Sequence, residues 1–313
     1  MPENIHLVEK DPYDIFDRTF KRVLTLSKRT VIKFINGVFN KTYSDDSELT
    51  YNWTEFVDND MKKILADTII TINGTDSFHI EAQMYKNEKI VLRMIDYGYH
   101  QALRTWESIP LPEDGTDIIR LKFPSQLVIN LDEDNAPDTY CVKLDFGDQE
   151  IINYKIPVLS FQNIDLETIK KRHMIILLPF KLLKLRKKIE KSRSKENISE
   201  LWRLSENDIM STIRASFDAG EIDTQDKDAL EIATKRLFKH LYQKYDELKE
   251  MIEMYDHSLD LISDKYYDAL DVIKEKDAVI AEKDAVIAGK DAALSEKDAE
   301  IARLKAELAA SHS

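Results

Sequence analysis

Apolar residues at helical spacing open the chain. Between residues 14 and 39, Phe16, Phe20, Val23, Leu24, Leu26, Val31, Phe34, Ile35 and Val38 recur at helical spacing. This predicts one interrupted helix or two short ones, with Gly37 as the terminator. The period then falls to two: Tyr51, Trp53 and Glu55 alternate with Asn52, Thr54 and Phe56, as in a strand over residues 50–57. Residues 63–72 and 78–85 read as the arms of a hairpin about Asn73-Gly74. In its second arm Phe78, Ile80, Ala82 and Met84 take one face, and His79, Glu81, Gln83 and Tyr85 the other. One face is therefore expected to be core and the other polar. Helical spacing returns over residues 93–106 through Met94, Tyr97, Ala102 and Leu103, and Pro110 and Pro112 stop it.

Three further strands are expected at residues 126–131, 139–146 and 151–156, separated by acidic and Gly-containing turns. From residue 165 onward Pro179 is the only proline, and helices are predicted over 165–172, 175–193, 198–219 and from 224 without a strong break. The order is helix, sheet, helix, sheet, helices, an α/β pattern. From Lys276 the chain repeats every seven residues, with Ile280, Ile287, Leu294, Ile301 and Leu308 at one seam position and Asp277, Asp284, Asp291 and Asp298 at the other. Upstream, Leu259, Ile262, Tyr266, Leu270 and Ile273 make a more apolar seam with a stutter at Tyr266. Burying an unpaired carboxylate costs several kcal/mol, more than the roughly 1.5–3 kcal/mol that one Ile recovers. A homo-oligomer is therefore expected to pair through residues 255–273 rather than through the repeat.

Composition narrows the function classes. A net charge of −13 argues against a protein that simply coats nucleic acid, because phosphate neutralisation needs clustered Lys and Arg. One local basic run stands out: residues 181–195 hold eight basic side chains against Glu190 alone, with Leu182, Leu183, Leu185 and Ile189 as an apolar stripe. Its Lys184, Arg186, Lys187 and Lys188 are candidate DNA contacts, although such a run is also the ordinary solvated face of a helix. Cys141 is the only cysteine, which excludes an internal disulfide and a multi-cysteine zinc site and fits a reducing, cytoplasmic setting. The start of the chain lacks the basic and apolar pattern of a secretory signal. The greasiest run, 174–185, is cut by Pro179 and Lys181, so no membrane span is expected.

Phosphodiester hydrolysis requires a held divalent cation, an activated water and some relief of the charge that builds on the phosphate. Asp67 and Glu81 are acids that the hairpin can bring together, and Gln83 shares the face of Glu81. Register decides the matter. A two-residue turn at Asn73-Gly74 would set Asp67 beside Ile80 on the wrong face, whereas an odd-length loop with Gly74 in the left-handed region sets it opposite His79, diagonal to Glu81. The odd-length loop is the expectation. Any half-exposed strand shows the same alternation, and His79 reads as a plain surface residue.

These residues carry a resemblance. Asp17-Arg18-Thr19-Phe20-Lys21, residues 63–67, His79-Ile80-Glu81-Ala82-Gln83, and Arg93 with Tyr97 resemble in order the motifs of the PD-(D/E)XK nuclease family of transposase-like, recombination-promoting nucleases. Pro157-Val158-Leu159-Ser160-Phe161 and Ile175-Ile176-Leu177-Leu178-Pro179-Phe180 are similar to the later part of clostridial-type members, and a heptad tail is common there. The resemblance implies a restriction-endonuclease-like αβββαβ core over residues 1–195, followed here by a helical region at 196–250 and a coiled-coil-like tail at 251–313. It also implies Mg²⁺ or Mn²⁺ as cofactor and double-stranded DNA as the substrate of an endonuclease. Asp67, Glu81 and the Ala82 carbonyl would hold the metal, and Gln83 takes the place of the motif lysine. Gln brings hydrogen bonds but no positive charge. Asp17 and Lys21, one helical turn apart, either reach the site or form a surface pair. Arg93 either grips a phosphate or is solvated, and Tyr97 is expected to pack. The alternative function is a catalytically inactive scaffold or regulatory protein of the same fold.

Overall fold

A computed structural model of the chain describes residues 14–52, 55–57, 63–65, 68–84, 89–110, 117–132 and 136–260, together with Lys297. Of the two helical options at the start, two short helices form: α1 (Asp14–Val23) and α2 (Lys28–Phe39). Ser27 caps α2 by accepting from the Thr30 amide, and the helix ends at Asn40 in the left-handed region (φ 53°), not at Gly37. Gly37 lies inside the helix because a neighbour comes too close for any side chain. A Cβ there would stand 1.6 Å from the Arg172 carbonyl oxygen, and the Arg172 guanidinium donates back to Gly37 O at 2.8 and 3.1 Å.

The strands are β1 (Leu49–Asn52), β2 (Glu55–Val57), β3 (Lys63–Leu65), β4 (Thr68–Ile72) and β5 (Asp76–Gln83). After α3 (Ile90–Arg104) come β6 (Glu107–Pro110), β7 (Asp117–Arg120), β8 (Ser125–Asn130), β9 (Thr139–Asp145) and β10 (Ile151–Ser160). Six of them form a mixed sheet in the order β1-β4-β5-β8-β10-β9. β1, β4 and β5 run antiparallel in turn, β5 is parallel to β8, β8 is parallel to β10, and β9 closes the edge antiparallel to β10. β2 with β3, and β6 with β7, make separate two-stranded ladders. The strand expected over 50–57 and the hairpin arm expected over 63–72 are thus each divided between two ladders. The β6–β7 hairpin lies where the prolines read only as helix stops; α3 has already ended at Arg104, and Pro110 closes β6 instead.

Both faces of β5 are covered, which corrects the expectation of a solvated polar face. Phe78 meets the Phe39 ring of α2 at 4.8 Å, while His79, on the opposite face, meets the Tyr97 ring of α3 at 5.7 Å. On the α3 side Ile90, Val91 and Met94 bury against Val128, Tyr140 and Ile156. Gly98 permits the close approach: a Cβ there would stand 2.8 Å from the Phe123 ring and 2.9 Å from Gln126 Nε2.

The second half is helical, with departures. α4 (Leu166–Lys171) forms within the helix expected over 165–172 and is capped by Asp165. Residues Ile175–Leu185, expected as α-helix, form a 3-10 helix through Pro179, which has no N–H to continue an α ladder, and α5 (Arg186–Lys191) follows. Next come α6 (Lys195–Trp202), a π-type stretch at Arg203–Met210, α7 (Ser211–Asp218), α8 (Thr224–Tyr242) and α9 (Lys249–Asp260). The run from residue 224 is therefore broken between Tyr242 and Lys249. Buried Asp226 ties α8 to the start of α2, accepting from Ser27 N at 2.7 Å and from the Ser27 and Thr30 hydroxyls at 2.5 Å.

The chain divides into two units, Met1–Glu253 and Met254–Ser313, so residues 196–250 belong with the sheet in the first. Of the apolar seam at 255–273, only the part up to Asp260 is described, and the heptad repeat lies outside the described residues save Lys297. Among the described residues no helix is long and apolar enough to cross a membrane.

Candidate functional site

Parallel pairing of β5, β8 and β10 sets side chains in rows on the α3 face. His79 stands beside Gln126, Glu81 beside Val128 and Val158, and Gln83 beside Asn130 and Ser160. The last two rows lie at the carboxyl ends of three parallel strands, where open α/β sheets commonly bind ligands. The rows differ in how their polar atoms are satisfied.

Toward the amino end most polar atoms have partners, His79 Nε2 and Gln101 Oε1 being the exceptions. Ser77 Oγ shares a hydrogen bond with Thr71 Oγ1 at 2.9 Å and lies 3.4 Å from Gln101 Nε2. Gln126 Nε2 donates to Met94 O at 2.5 Å and lies 3.1 Å from His79 Nδ1, and the Tyr154 hydroxyl donates to Gln126 Oε1 at 2.7 Å. With both amide hydrogens of Gln126 so used, His79 Nδ1 accepts and its proton sits on Nε2.

Toward the carboxyl end, partners are missing. Glu81 is fully buried with neither carboxylate oxygen hydrogen-bonded, and Gln83 Oε1 and both amide atoms of Asn130 are likewise unpartnered. Arg93 Nη2 does approach Glu81 Oε1 to 2.9 Å, but without the alignment of a hydrogen bond, so the contact is an ion pair. The Arg93 side chain is 55% exposed and that of Glu81 1%, a buried anion held by a side chain at the surface.

Of the expected site residues, Glu81 and Gln83 share this face. Asp67 lies outside the described residues, so its position relative to Glu81 is not described. The turn beside it is described: the loop is Asn73-Gly74-Thr75, odd in length as expected, with Ile72 paired to Asp76 and positive φ at Asn73 (54°) and Gly74 (68°). The register differs from the expected one by two residues, so that Ile69, and not Asp67, stands opposite His79. Ala82 sits between Glu81 and Gln83 on β5, with its side chain on the opposite face. Asp17 and Lys21 pair with each other at 2.9 Å on α1, the local of the two options. Tyr97 is buried and packs, as expected.

Four of the eight basic residues of the run are engaged within the fold. Lys181 is buried, Arg186 pairs with the buried Asp132, Lys188 pairs with Glu200, and Arg193 lies over the Tyr245 ring. Lys184 and Lys187 are exposed. Sequence reasoning missed Asn130, Gln126 and Tyr154. The strand over 126–131 was legible, but not the strand beside which it lies.

His79, expected at the surface, is fully buried, and burial, helped by the Arg93 charge, holds its pKa down at about 3. The unfolded chain takes up the proton near pH 6.5, so stability present above that value is lost as pH falls toward 3. His79→Gln is expected to flatten the fall in unfolding free energy between pH 6 and pH 4 by about 1 kcal/mol per pH unit. Urea unfolding at stepped pH checks this, and equal slopes in variant and parent would refute it. Among the described residues no group of three or more His, Cys, Asp or Glu gathers as a metal site. Comparison of the chain with protein-family models, with curated proteins and with solved structures finds no match, so what the cluster does is read from its own geometry.

Proposed function

We propose that this chain is a metal-dependent DNA endonuclease of the PD-(D/E)XK kind, with Glu81 and Asp67 holding Mg²⁺ or Mn²⁺. The observation that carries the reading is Glu81, a fully buried carboxylate whose oxygens have no hydrogen-bond partner, beside the orphaned amides of Gln83 and Asn130. The succession of α2, the antiparallel β1, β4 and β5, then α3 and the parallel β8 supports it, being the element order of an αβββαβ core.

Orphaned carboxylate and amide oxygens suit a hard divalent cation, which prefers oxygen ligands. A cation bound there would supply Lewis acidity and a more acidic water. Gln83 can orient that water or a phosphate oxygen by hydrogen bonding, without charge. Arg93, half-exposed near the start of α3, can turn from Glu81 to a phosphate oxygen, and the positive end of the helix favours an anion there. Ile90, Met94 and Val128 pack alongside and keep bulk water from the base of the site.

A second reading, a catalytically silent scaffold, is favoured by one observation: the Arg93–Glu81 ion pair already neutralises the carboxylate. Supercoiled plasmid separates the two. The nuclease is expected to relax or linearise it in Mg²⁺ and to leave it intact in EDTA; intact plasmid in both would overturn the nuclease reading.

A further inference from the structure

We infer that Asn130 is a positioning residue of the proposed site, whose amide holds a water bound to the cation and faces the phosphate. This rests on the metal-site reading of Glu81. Asn130 ends β8, is 1% exposed, and stands between Gln83 on β5 and Ser160 on β10. Among the described amide side chains it alone has both of its ends buried and without a partner.

The other buried amides show what structural use looks like in this molecule. Gln126 is bonded at both ends, Gln162 Nε2 donates to the carbonyls of Leu131 and Phe180, and Gln101 Nε2 reaches Ser77. Asn130 has no such duty. Val128, two residues back on the same face, is a buried hydrophobic and the Asn130 amide bonds to no other group, so an apolar residue at 130 would fold without taking a partner from any polar atom. A buried donor and acceptor kept together are explained by a polar occupant of the space they face.

The chemistry of that occupant follows from the neighbours. Glu81 supplies anionic oxygen one row back on the same face, and water on a cation held there has its lone pair directed at the metal, so it can only donate. Asn130 Oδ1 is the acceptor for it. The Nδ2 hydrogens then meet an anionic oxygen, which a phosphodiester provides. Groups that orient a cation's surroundings in this way change metal affinity about 10- to 100-fold when removed.

The test is a melting-temperature titration of the full chain with MgCl₂ from an EDTA baseline, with MnCl₂ as a second probe. The wild type is expected to melt higher as Mg²⁺ is added, and Glu81→Gln to lose that shift. Asn130→Leu is expected to melt no lower than wild type in EDTA, yet to need at least about tenfold more Mg²⁺ for half the shift. Asn130→Asp retains the acceptor and adds charge, so it should melt lower in EDTA and need no more Mg²⁺ than wild type. If the leucine variant does not fold, the aspartate variant decides alone, and a tenfold weaker response there overturns the inference. A leucine variant that responds to Mg²⁺ as the wild type does, or that melts lower in EDTA, also overturns it while leaving Glu81 as a metal ligand. A wild type with no Mg²⁺-dependent shift overturns the metal reading itself, and Asn130 with it.

Discussion

Glu81→Gln is expected to lower Mg²⁺-dependent plasmid cleavage by three orders of magnitude or more, about 4 kcal/mol of transition-state stabilisation, while shifting unfolding free energy by only about 1 kcal/mol either way. The activity loss follows from removing the one described carboxylate that can ligate a cation at the carboxyl end of β5. The small stability change follows from two opposing terms. At 2.9 Å the attraction to Arg93 is about 6 kcal/mol at an effective dielectric of roughly 20. Removing a carboxylate from water costs several kcal/mol in return. Because the Arg93 side chain is 55% exposed, its guanidinium can turn to water when its partner is neutralised, which leaves no stranded cation. A glutamine of the same shape then fills the space. Plasmid assays and urea melts on one preparation measure both quantities. Unchanged cleavage would falsify the assignment of Glu81, and a stability loss of about 3 kcal/mol or more would make the ion pair a structural one.

Lys181→Met is expected to cost about 3 to 5 kcal/mol of stability and to lower the melting temperature by about 10 °C. Its ammonium is buried and donates to the carbonyls of Phe161 at 2.9 Å, Gln162 at 3.2 Å and Ile164 at 2.6 Å, three hydrogens for three acceptors. It also lies 4.5 Å from the centre of the Phe161 ring. These contacts fasten the 3-10 segment Ile175–Leu185 to the chain leaving β10. Methionine replaces the apolar stem but strands the carbonyls of Gln162 and Ile164, each at about 1 to 3 kcal/mol, while the Phe161 carbonyl keeps the Ile164 amide as a donor. The relief of bringing a charge back into water offsets part of that sum. Chemical and thermal melts of the variant measure the loss; a change under about 1 kcal/mol would mean the carbonyls find other partners.

The sequence by itself determined what local periodicity can determine. The 3.6-residue spacing in residues 14–39 reports α1 and α2, and the helix expected over 165–172 contains α4. Alternation in residues 78–83 places His79, Glu81 and Gln83 on one face, because successive strand side chains must point to opposite sides. An odd loop with Gly74 left-handed was legible too, but its centre lies one residue later than expected, since Asn73 also takes positive φ.

What lies over a face is decided by packing between distant segments, and periodicity does not report it. The polar face of β5 is buried because α3 closes on it, made possible at Gly98 by the absence of a side chain. Asn130 stands beside Gln83, 47 residues away, only because β5 and β8 pair in parallel at that register. The basic run ceased to be one surface when Lys181 turned inward to three carbonyls and Arg186 and Lys188 found Asp132 and Glu200. Local patterns set the direction of each side chain; its partner and its exposure are set by which elements bury the most surface together, a property of the whole chain.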